Sequence, residues 1–99
     1  KQLKIDLPVS CFYQLKIPKT TFTNCNLQEV DFTETIATSC LFDNTDLKGA
    51  IFEDTNLENS DFKTAFNFNI NPEKNHLKQA KFSRENLYGL LSDYKIIIE

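Results

Sequence analysis

Residues 40–62 read CLFDN TDLKG AIFED TNLEN SDF, and each group of five is centred on Phe42, Leu47, Phe52, Leu57 or Phe62. Continued outward in the same phase, the centre slots hold Leu7, Phe12, Ile17, Phe22, Leu27, Phe32 and Ala37 upstream, and Asn67 downstream. Leu, Ile or Phe fills 11 of these 13 slots, although the three make up only 28 of 99 residues. Chance would place about four there, so the repeat itself specifies the fold. Two residues before each centre runs a second set, Ile5, Ser10, Leu15, Thr20, Cys25, Val30, Thr35, Cys40, Thr45, Ala50, Thr55, Ser60 and Ala65. Apart from Ile5 and Leu15 these are small or β-branched.

A helix repeats near 3.6 residues and a strand at 2, so a strict five fits neither. Five residues can form one side of a coil, a short extended piece followed by a tight corner. Side chains two apart on an extended piece point the same way, here inward, where a small residue beside a large one suits a narrow interior. Phe recurs every ten residues at 12, 22, 32, 42, 52, 62 and 82, with Leu, Ile or Ala in most slots between. Four sides per turn would stack Phe12, Phe32 and Phe52 in one column and Phe22, Phe42, Phe62 and Phe82 in the opposite one. Leu7, Leu27 and Leu47 would form a third column, and Ile17, Ala37 and Leu57 the fourth. Three sides would mix Phe with Leu in every column. The expectation is therefore an all-β solenoid of about three coils.

Cys25-Asn26-Leu27, Thr45-Asp46-Leu47, Thr55-Asn56-Leu57 and Ser60-Asp61-Phe62 resemble the pentapeptide-repeat family, whose consensus is Ala, Asp or Asn, Leu, then two variable residues. Residues 5 to 67 carry the likeness, which is to the C-terminal part of bacterial members. It implies a right-handed quadrilateral β-helix. Ile36-Ala37 departs from the consensus, and the small centre predicts compensating packing by Ile17 or Leu57. Ile5 and Leu15 predict a wider or less regular first turn.

The repeat falters where Asn67 and then Pro72 occupy centre slots. Proline fixes φ and cannot donate to a ladder, so the chain is expected to detour and rejoin the coil at Ala80-Lys81-Phe82. Ser83 is placed to act as an N-cap, and Leu87, Leu90, Leu91 and Tyr94 fall on one helical stripe. This predicts residues 1–67 as the β-helix and 68–99 as a detour, a last coil side and a capping α-helix, followed by the β-prone Ile96-Ile97-Ile98, all in one domain. An open coil end needs such a terminal unit. In characterised family members a C-terminal helix can also mediate dimerisation, so Leu87, Leu90, Leu91 and Tyr94 are candidate cap or homodimer contacts. Phe66, Phe68 and Tyr88 are candidates for covering what the cap leaves open.

No apolar run reaches the length of a membrane span and no signal-like segment is visible. Cys11, Cys25 and Cys40 are odd in number and two lie in inward slots, which argues for a reducing, cytoplasmic setting without a disulfide framework. Lys1 is not a Met, leaving room for coils upstream. His76 is the single histidine, so no multi-histidine metal site is available. With only Gly49 and Gly89, no phosphate-cradling loop is present. The carboxylates lie on outward and corner positions, where no cleft would shift a pKa. The expectation is a non-enzyme without catalytic residues, cofactor or metal, and without direct nucleic-acid or membrane binding.

Charge is the one distinctive surface feature. Residues 21–62 carry nine carboxylates against Lys48 alone, a net of −8 within a chain of net −3. A four-sided coil places Asp31 and Glu34 directly above Glu53 and Asp54, the predicted protein-binding face. Two coils span about 10 Å, over which duplex DNA carries about six charges. The leading expectation is a scaffold for an unidentified protein partner. The alternative, which the family resemblance suggests, is a DNA mimic that binds DNA gyrase or topoisomerase and protects it from inhibitors such as quinolones. Lys74, Lys78, Lys81 and Arg84 lack the interleaved aromatics of a nucleic-acid groove.

Overall fold

The computed structural model describes Gln2, Leu3 and residues 11–99; the slots at Ile5, Leu7 and Ser10 lie outside them. The chain winds into a four-sided tube, and the molecule measures 37 × 24 × 23 Å. Short parallel strands β1 (Gln2–Leu3), β2 (Thr21–Thr23) and β3 (Leu41–Asp43) form one side. Thr21 pairs with Leu41 and Phe22 with Phe42, so one coil takes up four successive groups of five. Leu3 pairs with Phe22, so the first step is one residue shorter, in line with an irregular first turn.

One hydrogen-bond rule runs down each side. The centre N–H donates to the carbonyl that precedes the centre of the next coil, Ile17 to Ile36, Ala37 to Asn56 and Leu57 to His76, each at 2.8 Å. The N–H just before a centre donates back to the small-residue slot of the coil above, as Ile36 does to Leu15 and Asn56 to Thr35. Many corners are closed by a bond from the third residue past the centre to the centre carbonyl, as from Leu15 to Phe12 and Thr35 to Phe32. The second residue past the centre has positive φ at every corner from Gln14 to Asn59, between 49° and 73°. That is the signature of type II turns. Only Gly49 among these ten corner residues is a glycine; each of the others adopts the left-handed conformation at a cost of about 1–2 kcal/mol.

The four predicted columns stand. Phe32 stacks on Phe52 with ring centroids 4.9 Å apart and planes within 2°. Phe22, Phe42, Phe62 and Phe82 stack at 5.1, 4.6 and 5.2 Å. The two columns meet edge to face, Phe32 against Phe42 at 6.2 Å, a favoured aromatic geometry. Leu27 and Leu47 fill a third column and Ala37 and Leu57 the fourth, all fully buried.

The slot two residues before each centre does more than save space. Its side chain donates to a centre carbonyl in the coil above: Thr35 to Phe12, Thr45 to Phe22, Thr55 to Phe32, Ser60 to Ala37 and Cys40 to Ile17. These carbonyls point into the wall, where an unmet acceptor is costly. The Asp or Asn just before the centre has its own task. Asn26, Asp31, Asp46, Asn56 and Asp61 each accept the N–H two residues on, which fixes the corner.

The coil re-forms earlier than expected. Asn67 turns outward with positive φ and bonds to Asp46, while Phe68 turns in and packs against both Phe62 and Phe82. Around Pro72 the pattern lapses, yet Asn75-His76-Leu77 is already a regular side, with His76 paired to Asn56. Asn75 takes the hydroxyl's place, donating to the Phe52 carbonyl at 3.0 Å and accepting the Thr55 N–H at 2.9 Å.

The capping α-helix is absent among the described residues. Leu87–Leu90 and Ser92–Tyr94 are short 3-10 turns closed by bonds such as Gly89 to Asn86 and Leu91 to Tyr88. Gly89 explains why. It passes so close to Phe68 that a Cβ would lie 2.4 Å from Phe68 Cε1, and its carbonyl accepts the Ile70 N–H at 2.9 Å. The backbone is thus tied to the coil's end. Ser83 and Asn86 bond reciprocally, as in a capping motif, but only a turn follows. The buried Asn86 is the plug: its amide donates to the carbonyls of Phe62 at 2.7 Å and Ala65 at 3.0 Å.

Candidate functional site

The side centred on Phe12, Phe32 and Phe52 presents three outward rows. Before the centre stand Cys11, Asp31 and Ile51; after it Tyr13, Thr33 and Glu53; at the corner Gln14, Glu34 and Asp54. Coil spacing follows from the Phe32–Phe52 stack at 4.9 Å, which brings Glu34 above Asp54 and Asp31 above Ile51, its bridge partner. The four predicted residues Asp31, Glu34, Glu53 and Asp54 therefore share one face. The rows carry four carboxylates and neither Lys nor Arg. Among the described residues, no cation lies within 4.0 Å of any of the four; the single ion pair is Lys63 with Asp61.

The four are not equivalent. Asp31 is half-buried and commits one oxygen to the Thr33 N–H at 2.8 Å, a corner-fixing role. Glu34, Glu53 and Asp54 are exposed, and Glu34 accepts from the Gln14 amide at 3.0 Å. One coil further on, the exposed Glu73 follows Glu53 and the exposed Lys74 follows Asp54, so beyond Asp54 the face continues with one charge of each sign. Tyr13 and Ile51 add exposed apolar surface beside the charges. On the other sides the signs are mixed: Glu58 lies among Lys16, Lys19 and Lys78, and Asp43 and Asp61 among Lys63 and Lys81.

Beside this face, at the corner with the Leu47 side, is a groove of about 360 Å³. Gly49, Glu53, Asn69, Asn71 and Asp93 line it, and Asn71 and Asn69 donate to Asp93 at 3.0 and 3.4 Å. Tyr94, next to Asp93, has its phenol pushed above the usual 10.0 by partial loss of solvent and by the nearby Glu73 carboxylate. No group of three His, Cys, Asp or Glu among the described residues could hold a metal ion. Burial likewise raises the Cys40 thiol, which donates to the Ile17 carbonyl at 3.1 Å. The described residues contain no helix long and apolar enough to cross a membrane.

The predicted cap or dimer residues do not share a face. Leu90 packs against the core and Leu91 is half-buried, whereas Leu87 and Tyr94 are exposed. Phe68 is buried, whereas Phe66 and Tyr88 are exposed. Lys74, Lys78, Lys81 and Arg84 are all exposed, but are spread over three sides of the tube, with Lys81 and Arg84 on one.

Residues 19–63 match the family model for pentapeptide repeats in eight copies. No curated protein matches the chain. Among solved structures, full-length QnrB1, a plasmid-mediated fluoroquinolone resistance protein, aligns with a TM-score of 0.72 at 9% identity. That alignment covers 87% of this chain and 40% of QnrB1, so the chain spans about two fifths of QnrB1's length. The pentapeptide-repeat protein Rfr23 from the cyanobacterium Cyanothece 51142 aligns at 16% identity over 84% of each chain, with a TM-score of 0.35.

Proposed function

We propose that this chain, whose residues 19–63 match the pentapeptide-repeat family model, is a non-enzymatic scaffold folded as that family's right-handed quadrilateral β-helix and binding a basic protein surface through Asp31, Glu34, Glu53 and Asp54. The observation that carries this reading is the unpaired stack of carboxylates on a single flat side, flanked by exposed Tyr13 and Ile51. Charges raise the encounter rate and select the partner, while flanking apolar groups supply desolvated contact. A rigid wall suits the task, since Glu34 and Asp54 project from corners already ordered in the free protein.

A second reading is that the face imitates duplex DNA and engages DNA gyrase or a related topoisomerase, protecting it from inhibitors such as quinolones. It is favoured by the row spacing: two adjacent coils 4.9 Å apart carry two carboxylates each on this side, and residues 21–62 carry a net charge of −8. DNA places about one charge every 1.7 Å of axis.

The two readings separate in one experiment. Wild type and a Glu34→Lys, Asp54→Lys variant are titrated against purified DNA gyrase at about 50 and about 200 mM salt, since phosphate-like contacts are lost steeply over that range. Salt-sensitive binding abolished by the double change supports the mimic. Absent or charge-insensitive binding overturns it. The scaffold reading then rests on affinity capture of a basic protein that wild type retains and the variant loses; identical capture by both proteins overturns it.

A further inference from the structure

The side Asn75–Gln79 leaves its lower ladder unpaired. Every coil above it is joined to the next by the same three bonds. Ile17 and Lys19 donate to Ile36 and Thr38, and Ile36 donates back to Leu15. Ala37 and Ser39 donate to Asn56 and Glu58, and Asn56 donates to Thr35. Leu57 and Asn59 donate to His76 and Lys78, and His76 donates to Thr55, at 2.8, 3.0 and 3.0 Å. Among the described residues, the N–H groups of Leu77 and Gln79 and the carbonyl of Asn75 have no partner.

Carried forward by one coil, the rule names Ile96 and Ile98 as acceptors for Leu77 and Gln79, and the Ile96 N–H as donor to Asn75. Ile97 then occupies the centre slot of the column Ile17, Ala37, Leu57 and Leu77. In the structure Ile97 is 84% exposed and Ile96 and Ile98 are also exposed, a run of three β-branched residues with no ladder partner among the described residues. The intervening chain leads to this place. It leaves Phe82, plugs the coil end with Asn86, meets Ile70 through Gly89 and reaches Asn71 through Asp93. It thus underlies three sides in turn and arrives at the fourth.

We propose that Lys95–Ile98 is a strap that closes onto Asn75–Gln79 as one further parallel coil side, with Ile97 turned in beneath Leu77. Tethering favours this occupant over a second copy, because a linked segment reaches its edge at a high effective concentration. Open, the strap leaves the Asn75–Gln79 edge bare for another strand to add; closed, it pairs that edge and covers Leu77 with Ile97.

Amide hydrogen exchange, resolved by NMR on the whole chain, tests this. With the strap closing, the Leu77 and Gln79 amides exchange at least tenfold more slowly in the wild type than in an Ile97→Asp variant, while the Phe32 and Phe42 amides match in both. Ile97 is exposed in the open form, so the substitution leaves the coil intact. Equal rates at Leu77 and Gln79 in the two proteins overturn the proposal. Protection that disappears on tenfold dilution also overturns it, showing that the strand comes from a second copy.

Discussion

Ser60 and Thr55 occupy equivalent slots, yet their hydroxyls carry unequal burdens. Ser60 Oγ donates to the Ala37 carbonyl at 2.6 Å and accepts the Cys40 N–H at 2.9 Å, with its residue fully buried. Neither backbone group has another partner among the described residues. Ser60→Ala therefore orphans two buried groups, each costing about 1–3 kcal/mol, or about 2–6 kcal/mol in total. Thr55 Oγ1 also donates, to the Phe32 carbonyl at 2.7 Å, but that carbonyl keeps the Thr35 N–H at 3.1 Å, and the Thr55 N–H is held by Asn75. Thr55→Val preserves shape and forfeits one bond, about 0.5–1.5 kcal/mol. Urea unfolding followed by far-ultraviolet circular dichroism reads the difference. At about 2 kcal/mol per molar, the midpoint falls by about 1–3 M for Ser60→Ala and by under about 1 M for Thr55→Val. Ser60→Cys should recover part of the loss, since Cys40 performs the same donation to Ile17. Equal shifts for Ser60→Ala and Thr55→Val would refute the idea that side chains in this slot exist to satisfy the wall's carbonyls.

Asn86→Leu should destabilise the lower end by about 2–4 kcal/mol, because the Ala65 carbonyl and the Ser83 N–H lose their partner in a buried setting; a thermal melt reads the loss, and faster exchange of the Phe62 and Phe66 amides places it at that end. For Cys40 the sign follows from its raised pKa. Above the thiol's ordinary 9.0 the unfolded chain releases a proton that the folded chain retains, so stability falls as pH rises, by up to about 1.4 kcal/mol per pH unit. Comparing urea midpoints between pH 8 and 10 in wild type and Cys40→Ser isolates this contribution, and Cys40 should resist alkylation at pH 8 while the exposed Cys11 reacts.

The columns were legible because burial is periodic: a Phe every ten residues can share an axis only if four sides close a turn. The same arithmetic brought Asp31, Glu34, Glu53 and Asp54 together. What the pattern concealed was the pairing of polar groups inside the wall. Thr, Ser and Cys read as small fillers, but their hydroxyls and thiols meet carbonyls one coil away, a pairing invisible along the chain. Asn75 fell inside the expected detour for the same reason, although its amide does a hydroxyl's work. The helix was misread because Leu87, Leu90, Leu91 and Tyr94 imitate a stripe, while the decisive contact of Gly89 with Phe68 joins segments distant in the chain.

Apart from corner turns, the bonds of the tube wall join each coil only to its immediate neighbours. Pulled from its two termini, such a molecule has no long-range clamp to resist as a unit. Each coil would peel away in turn, releasing about 70 Å of thread before the next bears the load. Its force–extension trace should be a sawtooth of evenly spaced steps, and a hydroxyl removed at one level should weaken a single tooth.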